Sequence, residues 1–171
     1  QILENLEINT LIIHAQHFKK DRPSIRKLFS ECLPNTKILV ENDGLGEDWA
    51  SSKEGLAEIF VDCPEFGCCL DICHLKDVDK CSLEDFVAFG EIRNRVQQIH
   101  YSYSSNHLAY DPYSKCGYPG YNPNHSLFSI VNRAVSQKTR DFILQYPTIL
   151  EGVVPIEDSD LNFLREEIGF L

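Results

Sequence analysis

Gly67–His74, with the sequence GCCLDICH, is the stretch that decides the fold. Its apolar run Cys68–Leu70 is typical of a buried strand, and Asp71 and His74 follow at the carboxyl end. A carboxylate and an imidazole are side chains that divalent metals bind in proteins. The stretch therefore predicts a buried β-strand that carries part of a metal site at its end.

The same layout, an apolar run that ends in a candidate ligand, recurs along the chain. The other runs are TLIIH at Thr10–His14, KILVEND at Lys37–Asp43 with Glu41, QQIHYS at Gln97–Ser102 with His100, and PTILEG at Pro147–Gly152 with Glu151. Helical patterns separate these runs, as in Leu83–Ile92, where apolar residues recur at helical spacing. Alternating strands and helices predict a parallel sheet with right-handed crossovers.

The spacing of the candidate ligands favours a barrel over an open sheet. Glu41, Asp71 and His100 are 30 and 29 residues apart (71 − 41 and 100 − 71), and a TIM (β/α)₈ barrel allots roughly 31 residues to each unit. An open sheet usually binds its ligand at one switch point, whereas here candidate ligands end successive strands. We therefore expect residues 1–171 to be a single α/β domain that forms the C-terminal part of a barrel. About three βα units would be missing before Gln1 or lie in another chain.

Composition limits the classes of function. The formal net charge of −10 and the pI near 5.0 favour solubility and give no electrostatic footprint for nucleic acid. No apolar run is long enough to cross a bilayer, and the N-terminus shows no charged-then-apolar signal. The seven cysteines are an odd number without a C-x-x-C pair, which indicates reduced thiols in a cytoplasmic protein.

Local signals also predict where some helices begin. Pro23 suits the first turn of one helix, and Ser51 or Ser52 can cap the next. Ser126 is a cap candidate for a helix that runs through Ala134. These signals agree with a helix after each strand.

The strand-end motifs resemble those of the xylose isomerase-like TIM barrels, a group that includes sugar isomerases and epimerases, inosose-processing enzymes and endonuclease IV. The stretches that carry the resemblance are, in order, VEND, LDICH, IHYS and ILEG. They imply that the chain supplies strands 4 to 8 of such a barrel, about five-eighths of it. In the sugar epimerases of this group, a Glu, an Asp, a His and a Glu at successive strand ends bind Mn²⁺, Mg²⁺ or a similar ion. The matching residues here are Glu41, Asp71, His100 and Glu151.

The resemblance also implies a reaction. The two glutamates of such epimerases move protons at carbons beside the substrate carbonyl, which makes Glu41 and Glu151 the expected catalytic residues. His74 and Glu47 match substrate-contact positions, and Trp49 is a candidate pocket wall because it lies near the Glu41 loop. The expected function is a divalent-metal-dependent isomerase or epimerase of a sugar, sugar phosphate or polyol.

Endonuclease IV offers a second template, because its motifs also resemble ENDGLG and CLDICH. It uses extra histidines for a zinc cluster, and His14, His74 and His125 would be those extras here, with His14 and His125 as additional metal ligands. The chain departs from this template at Pro123, where the family has an Asp, and from the epimerases at Asn106, where an Arg is expected. The alternatives are therefore a metal-dependent phosphodiesterase acting on abasic DNA, and a degenerate, non-catalytic barrel.

The supply of basic residues bears on the choice of partner. An endonuclease needs phosphate contacts, yet the chain has 16 Lys and Arg against 26 Asp and Glu. The candidate basic positions near the strand ends are Lys19, Lys20, Arg22, Lys76 and Lys115. The sequence thus favours a small sugar-like substrate, leaves nucleic acid as an open alternative, predicts no membrane partner and is compatible with an oligomer.

Overall fold

The computed structural model describes residues 9–44, 49–77, 83–106, 108–117, 124–155 and 160–171. The strands are β1 Thr10–His14, β2 Lys37–Glu41, β3 Gly67–Asp71, β4 Val96–Tyr101, β5 Tyr103–Ser104, β6 His125–Ser126 and β7 Thr148–Leu150. The α-helices are α1 Arg22–Cys32, α2 Lys53–Asp62, α3 Ile72–Asp77, α4 Leu83–Ala88, α5 Gly90–Arg93, α6 Phe128–Val131, α7 Gln137–Ile143 and α8 Asn162–Phe170. Short 3₁₀ segments cover Ala15–Phe18 and Pro112–Cys116.

Five strands form one sheet in the order β1-β2-β3-β4-β7. Every neighbouring pair in this sheet is parallel, so the carboxyl ends of all five strands lie at the same edge. The prediction of parallel, adjacent strands is confirmed, and the α/β arrangement is consistent with part of a TIM barrel. β5 and β6 form a separate antiparallel pair.

The two faces of the sheet have different surroundings because alternate side chains of a strand point in opposite directions. Val40 and Leu70 belong to the hydrophobic core cluster that also contains apolar residues of the helices. Glu41, Cys69 and Asp71 alternate with them, are equally buried, and lie outside that cluster. The second face of the sheet therefore carries the polar, ligand-type side chains.

Burial on both faces, which is typical of parallel sheets, is complete only at the centre of this sheet. β3 is buried along its whole length, whereas every residue of β1 is partly exposed and Ile149 of β7 is 47% exposed. β1 and β7 are the two edges, each paired with one neighbour among the described strands. A parallel strand becomes fully buried only when it has cover on each side.

The predicted helix starts are correct in two cases and wrong in one. Pro23 lies in the first turn of α1, and the Ser52 hydroxyl caps α2 by accepting a 3.0 Å hydrogen bond. Ser126 caps no helix, because it lies in β6. The helix that follows is α6, which ends at Val131 instead of continuing to Ala134, since Asn132 adopts a left-handed φ of 53°.

Glu167 of α8, and not Ser126, caps the first turn of α6. Its carboxylate accepts hydrogen bonds from the backbone N–H of Phe128 at 2.9 Å and of Ser129 at 2.8 Å. It is fully buried, so a charged side chain from the last helix satisfies the first turn of α6. None of the described helices is long and apolar enough to cross a membrane.

Candidate metal centre

Four predicted ligands meet at the carboxyl edge of the sheet. Glu41 and Asp71 end β2 and β3, His100 lies near the end of β4, and Glu151 directly follows β7. The parallel register sets Asp71 beside His100. One ligand atom of each residue lies within 4.8 Å of those of the other three. The fold therefore gathers residues from four strands into a space of coordination size.

His100 contacts the carboxylates on either side of it. Its Nδ1 lies 2.9 Å from Glu151 Oε1 and 3.3 Å from Glu41 Oε1, while Nε2 lies 3.2 Å from the amide nitrogen of Gln98. Burial by itself lowers the pKa of this imidazole, but hydrogen bonds, first to Cys69 and then to two carboxylates, raise it to about 12. The proton on His100 balances part of the negative charge, and a bound cation would displace it.

Asp71 tests whether the site suits a metal. The residue is fully buried, and Oδ1 accepts a 3.2 Å hydrogen bond from the His74 backbone N–H. Its Oδ2 makes no hydrogen bond with any part of the chain that the structure describes. Burial and then the charge of Glu41 raise the pKa of Asp71 to about 8. A buried carboxylate oxygen without a donor is costly, and two glutamates, an aspartate and a histidine suit a divalent ion such as Mn²⁺, Mg²⁺ or Zn²⁺.

Three more histidines, each predicted from the sequence, flank this cluster. His74 Nδ1 donates a 2.7 Å hydrogen bond to the carbonyl of Asn42, so its Nε2 is the nitrogen that can accept or ligate. His125 Nδ1 lies 2.8 Å from the Ser102 hydroxyl. The ring of His74 lies 5.8 Å from that of His14 and 5.5 Å from that of His125. Further groups of ligand atoms within 4.8 Å are His14 with Glu41 and His74, and Asp71 with Cys73 and His125.

Asp43, which the sequence interpretation did not single out, orients His14. Its carboxylate accepts hydrogen bonds from His14 Nδ1 at 2.9 Å and from the Gln16 backbone N–H at 2.6 Å. The hydrogen bond to Asp43 raises the pKa of His14, burial opposes this, and the charge of Glu41 adds to it. His14 Nε2 lies 3.8 Å from Glu41 Oε2. The VEND motif shows that a second acidic residue follows Glu41, but nothing in the motif indicates that this residue binds His14.

The predicted substrate-contact residues lie in different surroundings. His74 borders the cluster, with Nδ1 3.4 Å from Asp71 Oδ2. Trp49 is tied to the helices instead, because its indole N–H donates to Glu58 at 3.1 Å and the Arg22 guanidinium lies 4.8 Å from its ring centroid. Its role as a pocket wall stays a prediction. Glu47 and Pro123 lie outside the described residues.

A cavity of about 460 Å³ opens beside the cluster. It is lined by Asn124, His125, Glu151 and Val153. It is a shallow, open depression and not an enclosed cleft. Because Glu151 belongs both to the cavity wall and to the cluster, a small ligand in the cavity would lie next to the candidate metal centre.

Comparison with known proteins supports the fold. No family model and no curated protein matches this chain. Among solved structures, this chain is similar to the probable 3-DHS dehydratase AsbF of Bacillus anthracis, which is described as involved in petrobactin synthesis. The TM-score is 0.61 and the sequence identity is 15%. The match covers 98% of this chain and 65% of that one. At this identity it shows the fold alone: a curled, parallel five-strand α/β sheet consistent with part of a TIM barrel.

Proposed function

We propose that this chain supplies strands 4 to 8 of a TIM barrel that isomerises or epimerises a sugar or polyol with the help of a divalent cation. The observation that carries the proposal is the meeting of Glu41, Asp71, His100 and Glu151 within 4.8 Å at the carboxyl edge of the sheet. Active sites of TIM-barrel enzymes lie at this edge. The similar structure is named a probable 3-DHS dehydratase, which agrees with an enzymatic role for this site.

The two glutamates are suited to proton transfer. They come from β2 and from the residue after β7, which are separated in the sheet by β3 and β4, so their carboxylates enclose the intervening space. Burial by itself raises the pKa of Glu151. The hydrogen bond from His100 and the positive charge of that ring have the larger combined effect, so the pKa lies below its ordinary value. In the metal-free site Glu151 is therefore ionised. A bound cation, which would displace the His100 proton, would supply the positive charge in its place, so the carboxylate could still accept a proton from a carbon beside a carbonyl.

The remaining residues bind and orient. Asp71 and His100 complete the set of ligands, and His74, whose Nδ1 is bound to the Asn42 carbonyl, keeps Nε2 for a hydrogen bond to a substrate hydroxyl. A cation bound by this set would chelate adjacent substrate oxygens and stabilise the negative charge that develops on them. The same removal of a proton beside a carbonyl begins the elimination of water, the type of reaction for which the similar structure is named.

A second candidate function is an endonuclease IV-like phosphodiesterase acting on abasic DNA. The observation that favours it is the row of three histidine rings, His14, His74 and His125, along the same edge. The electrostatics oppose it, since the chain has 16 Lys and Arg against 26 Asp and Glu. Arg22, one of the few basic candidates, is already bound to Asp62 at 2.7 Å and to Glu58 at 3.0 Å.

One pair of assays separates the two functions. The full-length protein is freed of metal, reloaded with Mn²⁺, Mg²⁺ or Zn²⁺, and incubated with a panel of ketoses in D₂O, with deuterium incorporation followed by NMR. We expect cation-dependent exchange beside the carbonyl that is lost in Glu151→Gln and retained in Glu166→Gln, a change at an exposed position of α8.

The second assay uses a duplex with one abasic site, for which we expect no cleavage. Strand scission that disappears in Glu151→Gln would overturn the isomerase proposal and establish the endonuclease. Metal binding without exchange or scission would instead identify a non-catalytic barrel.

A further inference from the structure

Cys69 lies one layer below the candidate metal centre. It precedes Asp71 by two residues on β3, so both side chains point to the same side of the sheet. The adjacent Cys68 points to the other side and belongs to the hydrophobic core cluster, whereas Cys69 is just as buried but lies outside that cluster. Cys69 therefore faces the polar interior and not the helices.

The thiol of Cys69 has metal-ligand neighbours on both adjacent strands. Its Sγ, a carboxylate oxygen of Glu41 and a ring nitrogen of His100 all lie within 4.8 Å of one another, and all three residues are buried. The strand register sets Cys69 directly beside Glu41 of β2. Asp71, above it on the same face, carries the carboxylate oxygen that makes no hydrogen bond within the described chain. A thiol, an imidazole and a carboxylate are the donor types of zinc sites.

We propose that Cys69, Glu41 and His100 form a binding position for a thiophilic divalent cation such as Zn²⁺ or Co²⁺, on the inner side of the four-residue centre. The inference rests on the proposed function, because Glu41 and His100 belong to both sets. As the bonds to the cation form, the thiol proton of Cys69 and the proton held by His100 both leave to solvent. Thiolate ligands select Zn²⁺ and similar ions, whereas Mg²⁺ and Mn²⁺ favour oxygen. With Cys69 as a ligand, the centre binds thiophilic cations more tightly than Mg²⁺ or Mn²⁺.

A second thiol near the site has to be distinguished from Cys69. Cys73 lies in α3, its Sγ is 3.7 Å from the carbonyl of Asn124, and it forms a group of ligand atoms with Asp71 and His125. This group shares neither Glu41 nor His100. A serine at position 73 therefore serves as a control for nearby sulfur, and a serine at position 68 controls for the loss of a core thiol.

Titration with Co²⁺ reports sulfur ligation directly. Metal-free, full-length protein is titrated with Co²⁺, and the near-ultraviolet sulfur-to-cobalt charge-transfer band is recorded for the parent, Cys69→Ser, Cys68→Ser and Cys73→Ser. We expect the band in all but Cys69→Ser, which keeps the visible absorption of bound Co²⁺ through its oxygen and nitrogen ligands. We also expect the ratio of Zn²⁺ to Mg²⁺ affinity to fall about tenfold or more in Cys69→Ser, because a soft ligand is lost.

The possible outcomes separate this inference from the proposed function. If the parent binds Co²⁺ without the band, the Cys69 position is wrong and the four-residue centre stands. If the parent binds no Co²⁺, both are wrong. If the band persists in Cys69→Ser, the sulfur ligand is a different cysteine and the inference is wrong. X-ray absorption of the Zn²⁺-loaded parent and of Cys69→Ser gives a second readout: a sulfur shell at about 2.3 Å in the parent that is absent from Cys69→Ser supports Cys69, and nitrogen or oxygen shells alone at about 2.0–2.1 Å in the parent overturn it.

Discussion

The side-chain amide of Asn42 makes two hydrogen bonds with the main chain of Asp71. Nδ2 donates to the Asp71 carbonyl at 2.9 Å, and Oδ1 accepts from the Asp71 N–H at 2.8 Å. Asn42 is fully buried and follows the end of β2, so its amide continues the hydrogen-bond ladder to β3 where β2 has ended. The amide thereby fixes the position from which the Asp71 carboxylate joins the cluster.

Asn42→Ala should weaken both the fold and the metal centre. The substitution leaves the N–H and C=O of Asp71 unpaired in a buried position, at a cost of about 2–6 kcal/mol, since each unsatisfied group costs about 1–3 kcal/mol. Metal affinity should fall about 10–100-fold, as it does when a residue that orients a ligand is removed. Urea unfolding in chelator and a Zn²⁺ titration measure the two effects. Asn94→Ala, at an exposed position, is the control, and equal losses in both variants would contradict the role of Asn42.

Much of the sheet could be predicted because its signals are local. β1 has the predicted bounds and β2 ends at the predicted ligand Glu41, since each is a short run rich in apolar residues. β3 is followed at once by a helix that the sequence did not indicate: Ile72 begins α3, whose first turn is held by the hydrogen bond from the His74 N–H to Asp71. An apolar residue after the strand gave no sign of this turn.

The supporting contacts of the site could not be predicted, because they join residues far apart in sequence. Asp43 is 29 positions from His14, and Glu167 is 39 positions from Phe128. The ligands themselves were recognisable because parallel strands bring their carboxyl ends together. No local pattern indicates which acidic residue turns toward a distant histidine or a distant helix end. Ser126 had the sequence of a helix cap, but pairing with β5 placed it in a strand.

Glu167→Ala should destabilise the fold without affecting the metal centre. The variant loses two hydrogen bonds from backbone N–H groups to a buried carboxylate, and we expect a loss of about 3–6 kcal/mol because each bond to a charged group is worth about 1.5–3 kcal/mol. For a chain of this size that lowers Tm by roughly 6–24 °C. Glu166→Ala, at an exposed position one residue earlier, should change Tm little. Equal Tm values for the two variants would show that Glu167 does not cap α6.

Asp43→Asn should lower the pKa of His14. The hydrogen bond to the Asp43 carboxylate is the largest cause of the raised pKa, and the neutral amide supplies no charge to replace it. NMR titration of the histidine ring protons in chelator measures this directly, with Asp160→Asn at an exposed position as control. A raised pKa stabilises the folded state below the ordinary value of 6.5, and that stability is lost as the pH rises through the folded pKa. The parent should therefore be more stable than Asp43→Asn, and this difference in stability should be largest at about pH 5–6.

Without metal and at alkaline pH, Asp71→Asn should be more stable than the parent. With metal bound, the parent should be the more stable of the two. In metal-free protein the pKa of Asp71 is about 8 against an ordinary 3.8, so the stability its proton contributes is complete below the ordinary value and lost as the pH rises through about 8. Above that pH the neutral amide avoids a buried charge, and we expect Asp71→Asn to unfold at higher urea than the parent. With Zn²⁺ or Mn²⁺ at 100 times the Kd, the parent should gain about 2.7 kcal/mol and the variant nothing. Parallel pH profiles, or equal stabilisation of both proteins by metal, would remove Asp71 from the ligand set.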